Sequence, residues 1–208
     1  MPASRALLFD VGGVCLTNGW DHDGRRAAAE HFGLDYDRLE RRHDALYAEF
    51  ERGEVGLDAY LTQAVFYRDR PFSRDEFVTF MHARSRPHPD MLALVERLRD
   101  AGSHRLATLN NESREINEYR IRSFGLDRLF EAFFSSCYLG VRKPAERIFR
   151  TALEILGVGP EEAVFVDDRE ENVAAARMVG LHGVLAEGAA SVARGLREAG
   201  VDVPDVEA

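Results

Sequence analysis

Five short apolar runs, most of them ending on a polar residue, constrain this chain more than any other feature: RALLFDV at 5–11, HRLATLN at 104–110, EAFFSS at 131–136, AVFVDD at 163–168 and HGVLA at 182–186. Runs of this length, bounded by Gly, Pro or polar residues, read as buried parallel strands. Helical patterns lie between the later ones. PDMLALVERLRDAG carries Met91, Leu92, Leu94, Val95 and Leu98 and stops at Gly102. PAERIFRTALEILGV carries Ile148, Phe149, Ala152, Leu153 and Leu156, with Pro144 near its start and Gly157 at its end. EENVAAARMVG repeats the arrangement with Val173, Ala176 and Val179. Strand–helix alternation of this kind predicts an α/β fold: a Rossmann-like, doubly wound parallel sheet with right-handed crossovers.

The stretch from about Gly19 to Arg86 departs from that rhythm. DGRRAAAEHFGL, DRLERRHDALYAEFERGEV, GLDAYLTQAVFY and SRDEFVTFMHARS are helical patterns with no clear strand among them. They predict a small all-helical unit inserted after the first strand, with RPHPD at 86–90 as the return linker. The expected division is 1–17 and 88–208 for the sheet domain and 18–87 for the insert. The final stretch reads as one short helix and an acidic tail expected to fray. Tyr47, Phe50, Tyr60, Phe66, Tyr67, Phe77 and Phe80 recur at helical spacing and read mostly as the insert's own core. His31, His43, His82 and His88 show no metal-ligand spacing and read as surface or linker residues, and Arg5, Arg84 and Arg86 call for no special role.

A net charge of −9 gives the chain no bulk electrostatic reason to hold nucleic acid or an anionic membrane, though a local basic pocket for a small anion stays open. The N-terminal apolar run is too short for a signal peptide, and no stretch approaches the roughly 18 apolar residues of a membrane span. Cys15 and Cys137 fit no metal spacing and read as buried reduced thiols. The expectation is a cytoplasmic protein, monomer or homodimer, with a small-molecule partner.

In an open parallel sheet ligands sit outside the carboxyl ends of the strands. The first strand ends at Asp10, the second at Thr108, Asn110 and Asn111, and the fourth at Asp167 and Asp168. SSCYLGVRKP, after the third, carries Arg142 and Lys143. Neighbouring strands would gather three carboxylates, a lysine and small polar donors. Carboxylates can chelate a hard cation such as Mg²⁺ or attack phosphorus or carbon. Lysine neutralises carboxylate and phosphate charge. The glycines after Asp10 let the backbone turn and present N–H groups to an anion. Taken singly, each has a plainer reading: Asp10 a turn residue, Lys143 a solvated residue before a helix, Asp167–Asp168 a helix cap, Asn110–Asn111 a loop. Their order and shared strand-end placement point instead to metal-assisted phosphoryl transfer.

The sequence resembles the haloacid dehalogenase superfamily of aspartate-nucleophile hydrolases. LLFDVGGV resembles its first motif, RLATLNN its second, GVRKPAERIF its third and VFVDDREENVAAARMVG its fourth, so that the likeness covers nearly the whole chain. The helical insert falls where this family carries a helical cap. Within the family the chain is most similar to small sugar-phosphate phosphatases and to the N-terminal phosphatase domain of soluble epoxide hydrolases. The resemblance implies Asp10 as nucleophile and metal ligand, the backbone carbonyl of Gly12 and Asp168 as further Mg²⁺ ligands, Asp167 as an outer-sphere support, and Lys143 as the bridge between nucleophile and phosphoryl group. Asn110 is the better match to the second motif's Ser/Thr, with Thr108 as the other candidate. Thr108, Asn111, Gly13 and Arg142 stand as phosphate-binding positions.

One position departs from the family pattern. Typical phosphatases of the family carry aspartate two residues after the nucleophile, where it protonates the leaving group and later activates water. Here that position is Gly12, and the aromatic residue of typical dehalogenases is absent too. A donor from WDHDGR, namely Asp21, His22 or Asp23, can take over; the plainer reading of these three is a solvated loop with a helix N-cap. Loss of a general acid costs on the order of 10²–10⁴ in rate, which weakens an enzyme without abolishing it. The expected function is a Mg²⁺-dependent phosphatase of small phosphorylated metabolites, with sugar phosphates the leading subclass. The alternatives are a slow hydrolase of activated substrates such as acyl phosphates, a catalytically quiet binding or regulatory protein, and a metal-independent dehalogenase.

Overall fold

The computed structural model describes residues 6–204. Residues 1–5, Arg5 among them, and the last four residues of the acidic tail lie outside them. In chain order, β1 (Ala6–Phe9) is followed by five helices: α1 (His22–Phe32), α2 (Tyr36–Asp44), α3 (Tyr47–Glu51), α4 (Leu57–Ala64) and α5 (Arg74–Ala83). Then come α6 (Pro89–Ala101), β2 (Arg105–Asn110), α7 (Arg114–Ser123), β3 (Ala132–Ser135), α8 (Ser136–Leu139) and α9 (Glu146–Leu156). The chain closes with β4 (Ala163–Asp167), α10 (Glu170–Val179), β5 (His182–Leu185) and α11 (Ala189–Glu198). All strand pairs are parallel, in the order β3-β2-β1-β4-β5. The chain winds outward from β1 in one direction through β2 and β3, then crosses to β4 and β5 on the other side. The strand order therefore switches between β1 and β4, the place where such sheets bind ligands.

Side-chain alternation assigns the two faces. Leu7 and Phe9 of β1 pack with Val164 and Val166 of β4 under Met91, Leu94, Val95 and Leu98 of α6 and Val192 and Leu196 of α11. Ala6 and Leu8 point the other way, with Phe165, onto Ile148, Phe149, Ala152 and Leu153 of α9 and Ala176 of α10. The expected strand and helix-stop signals correspond to real elements; Gly157, for example, ends α9 at a φ of 66° that only glycine takes without strain. Burying a side chain the size of Phe149 contributes about 1.5–3 kcal/mol.

The helices of the insert form a third cluster, in which Phe50, Tyr60, Leu61, Phe77 and Met81 are buried. Of the expected insert aromatics, Tyr47 is 37% exposed and Tyr67 lies under the Arg42 guanidinium, 3.7 Å from its centroid. The long DRLERRHDALYAEFERGEV pattern divides into α2 and α3 with no proline or glycine marking the break. Among the described residues no helix is long and apolar enough to cross a membrane. Cys15 and Cys137 are buried and free.

α7, the crossover helix between β2 and β3, is not marked by apolar periodicity. Its buried face is Ile116, Asn117 and Arg120, so two polar residues stand where a periodic pattern would need apolar ones.

Candidate active site

Asp10 follows the last residue of β1, and its backbone N–H donates to the Val166 carbonyl at 2.8 Å. The register pairs Phe9 with Val166 on one side and Thr108 on the other, so Asp10 stands level with Asp167 and Leu109. Lys143 reaches the same spot from the loop before α9. Its Nζ donates to Leu109 O at 2.9 Å and lies 3.0 Å from Asp10 Oδ1 and 2.6 Å from Asp167 Oδ2. All three ammonium hydrogens thus have acceptors. Burial works against the lysine's charge, but the two carboxylates outweigh it and hold the group protonated. Burial likewise pushes Asp10 up to about 7; Lys143 opposes this and the charge of Asp167 adds to it.

Asp167 is fully buried and its oxygens are spoken for. They accept from Lys143, from Asn172 Nδ2 at 3.1 Å and from the Arg169 backbone N–H at 2.8 Å. Asp168 differs: its Oδ1 is buried and has no hydrogen-bond partner. Its carboxylate presses on the turn after β1, where a Cβ built at Gly13 would lie 2.0 Å from Asp168 Oδ2 at a φ of +75°. Burial raises the Asp168 pKa and Asp167 raises it further, while the Asn18 amide opposes. One oxygen from each of Asp10, Asp167 and Asp168 lies within 4.8 Å of the others. Three clustered acids against one lysine, with a buried orphan oxygen among them, fit a hard divalent cation.

The residues expected on the phosphate side are largely committed to one another. Asn110 Nδ2 donates to Asn117 Oδ1 at 3.1 Å, and its Oδ1 accepts from Ser135 Oγ at 2.8 Å. Asn111 clamps the Lys143 backbone, donating to its carbonyl at 3.0 Å and accepting from its N–H at 2.8 Å. Thr108 is fully buried and its Oγ1 has no partner. Arg142 donates to Glu51 Oε2 at 2.5 Å and stacks 4.5 Å over Tyr47, tying its loop to α3. Asp10, Gly12, Asn111, Arg142 and Lys143 line a cavity of about 500 Å³; Thr108, Asn110 and Gly13 are not among its lining residues.

The insert closes that cavity with Trp20, His43, Tyr47 and Phe50. Asp21 Oδ1 caps α1 by accepting from the Gly24 N–H at 2.8 Å, and His22 pairs with Glu40 at 2.5 Å, which also pairs with Arg25. Asp23 is exposed in the first turn. The reading of His43 as a surface or linker residue is corrected: it is half-buried, its Nδ1 lies 2.9 Å from Tyr60 Oη, and burial, then the Arg25 charge, lowers its pKa to about 3. His82 stacks on Tyr119 with ring centroids 3.8 Å apart.

Two neighbours of the site carry no motif signal at all. Glu112 also lines the cavity and pairs with Arg120, Nη1 to Oε2 at 2.9 Å. Arg120 further donates to Ser85 Oγ at 3.1 Å and to the Asn18 carbonyl at 2.7 Å, gripping both linkers to the insert.

A doubly wound sheet with an aspartate, an acid pair and a buried lysine gathered at its switch point is the frame of a hydrolase built on a Rossmann-like sheet. The chain belongs to the haloacid dehalogenase-like hydrolase family, whose model matches residues 4–180. It is 30% identical over 95% of its length to a phosphoserine phosphatase of Thermus thermophilus, covering 84% of that protein. It is also 30% identical over 87% of its length to drimenol cyclase drtB of Aspergillus calidoustus, of which it spans only 34%. A haloacid dehalogenase family enzyme from Bacteroides thetaiotaomicron, solved as a magnesium complex, superposes with a TM-score of 0.73 at 20% identity, covering 88% of this chain and 92% of that one.

Proposed function

We propose that this hydrolase is a Mg²⁺-dependent phosphatase of small phosphorylated metabolites, sugar phosphates foremost, working through a phosphoryl group carried on Asp10. The observation that carries the reading is the Lys143 ammonium between Asp10 and Asp167, beside the unpartnered oxygen of Asp168. The phosphoserine phosphatase among the relatives and the magnesium in the similar structure support it. In this reading Asp10, Asp168 and the Gly12 carbonyl would hold the cation, with Asp167 as an outer-sphere support. A cation bound there would supply charge neutralisation for Asp10 and the phosphoryl oxygens.

Asp10 then attacks phosphorus in line with the leaving oxygen. Lys143 neutralises charge on the nucleophile and on the transferring oxygens, and Asn111 fixes the lysine's backbone. Water next attacks phosphorus and frees Asp10. The cavity volume suits a small metabolite. Domain limits at 17/18 and 87/88 belong to the same proposal. They are supported by the Leu16–Pro87 bridge and by the Thr17 N–H donating to the Arg86 carbonyl at 2.8 Å, where the two linkers run side by side.

The test is phosphate release from p-nitrophenyl phosphate and a panel of phosphorylated metabolites. Release that needs Mg²⁺ and disappears in Asp10→Asn supports the reading. A silent panel favours the binding-protein alternative, and halide release without metal the dehalogenase one.

A further inference from the structure

Gly12 has no side chain to move protons, and the space beside it is filled from the core. A Cβ built at Gly12 would lie 3.5 Å from Arg120 Nη1 and 3.1 Å from Asn18 Oδ1. Arg120 Nη1 is in turn 2.9 Å from Glu112 Oε2. Glu112 is 9% exposed and lines the cavity shared by Asp10, Gly12 and Lys143. A carboxyl group thus reaches, through one guanidinium, the place where a side chain at position 12 would begin. We infer that Glu112 is the general acid and base of the reaction and that Arg120 is its positioning residue. This rests on the phosphatase reading above.

Other groups near the cavity are worse placed. Asp21 Oδ1 caps α1 and His22 pairs with Glu40, both on the insert rather than on the Arg120 link beside position 12. Glu112, by contrast, is held and still has capacity. The Ser113 N–H donates to Oε1 at 2.9 Å and Arg120 holds Oε2, fixing the carboxyl plane. Ser113 Oγ also donates to Oε1, at 3.4 Å, so of the two lone-pair sites on each carboxylate oxygen the one left for a proton is on Oε2. Burial raises the proton affinity of Glu112 above the usual carboxylate range; Arg120 on α7 opposes this, and the charge of Glu51 on α3 adds to it. The Cys137 thiol of α8 also feels Glu112 and is itself pushed up by burial, to about 12, so it stays neutral. A buried acid with raised proton affinity is suited to carrying a proton and giving it up in a transition state.

The steps balance. Asp10 forms a bond to phosphorus, the bond from phosphorus to the leaving oxygen breaks, and that oxygen takes the Glu112 proton directly or through one water. The Glu112 carboxylate then takes a proton from a water whose oxygen attacks phosphorus. The Asp10–phosphorus bond breaks, phosphate leaves, and Glu112 is protonated again. Because Arg120 also holds the Asn18 carbonyl and Ser85, the acid is tied to both linkers of the insert that closes the cavity.

The test compares wild type with Glu112→Gln on p-nitrophenyl, phenyl and propyl phosphate, with Mg²⁺ present. For Glu112→Gln the expected result on p-nitrophenyl phosphate is a burst of about one nitrophenolate per site. Turnover then falls by about 10²–10⁴, with the phosphoryl adduct on Asp10 seen by mass spectrometry of the intact protein. Loss on propyl phosphate is larger still. In Arg120→Gln the basic limb of the pH–rate profile moves to higher pH, a shift that a purely structural role would not produce. Equal losses on all three esters with no burst or adduct overturn the inference, as does unchanged turnover. If Glu112→Gln does not fold, the wild-type series decides: a shallow dependence on the leaving group supports a donor in the site, and a steep one refutes it. Wild type silent on every ester sinks the phosphatase reading itself; active wild type with an unaffected Glu112→Gln sinks only this inference.

Discussion

Lys143 Nζ lies 3.0 Å from Asp10 Oδ1, and with the lysine 4% exposed its buried ammonium compensates the carboxylate's charge beside the Val11 N–H, which donates to the same oxygen at 2.8 Å. Removing the ammonium leaves Asp10 and Asp167 to repel each other in a largely buried site. Lys143→Met is expected to lose on the order of 3–5 kcal/mol of stability, the cost of breaking a buried pair. Phosphate release should fall at least about a hundredfold. Lys143→Arg should not restore it, because a planar fork does not fit a point-charge site with three converging acceptors. Thermal melts and phosphate assays check both; a Met variant with wild-type stability and turnover contradicts the assignment.

Asn111 leaves the lysine's charge alone and holds only its backbone, through two hydrogen bonds of 2.8 and 3.0 Å. Asn111→Ala should therefore cost about 1–3 kcal/mol in stability. It should lower kcat about tenfold while leaving KM nearly unchanged, since what is lost is the lysine's aim in the transition state. A change confined to KM would place Asn111 on the substrate instead.

Gly13→Ala puts a methyl group 2.0 Å from Asp168 Oδ2 at a φ of +75°. Backbone strain there costs roughly 1–2 kcal/mol. The larger effect is displacement of Asp168, which should raise the half-saturating Mg²⁺ concentration about 10–100-fold while circular dichroism stays that of a folded α/β protein. An unchanged Mg²⁺ titration would separate Asp168 from the metal.

His43 gives a pH dependence of stability. Its folded pKa of about 3 is depressed, first by burial and then by Arg25, with Glu40 opposing. In the unfolded chain it titrates near its ordinary value of about 6.5, so the unfolded state binds more protons between the two. The stability it contributes is fully present above about pH 6.5 and is lost as pH falls towards about 3. His43→Gln should shrink the drop in Tm between about pH 7 and about pH 5. The same drop in both proteins would show that other groups dominate.

Much of this was legible in the sequence for identifiable reasons. The strands and helix stops follow from burial and from glycine, both local signals. Asp10, Lys143 and the Asp167–Asp168 pair stand out because strand ends and loop starts are where a doubly wound sheet collects chemistry. What escaped has a common cause. Asn117 and Arg120 sit on the buried face of α7, where polar residues erase the apolar periodicity that announces a helix. Glu112 belongs to no motif, and its value depends on Arg120 eight positions away and on the empty space at Gly12. His43 reads as a surface residue because its partner, Tyr60, comes from a different helix of the insert. The commitment of Asn110 to Ser135 and Asn117 is likewise a tertiary fact that LNN cannot reveal.

If Asp10 bonds to phosphorus, water then attacks phosphorus rather than the aspartyl carbon. The direct measurement is repeated turnover of p-nitrophenyl phosphate in heavy-oxygen water with Mg²⁺ present. Mass spectrometry then follows the label in the released phosphate and in the peptide bearing Asp10. The expected result is label in the phosphate, none in Asp10, and no release from Asp10→Asn. Label accumulating in Asp10, or continued release by Asp10→Asn, would contradict it.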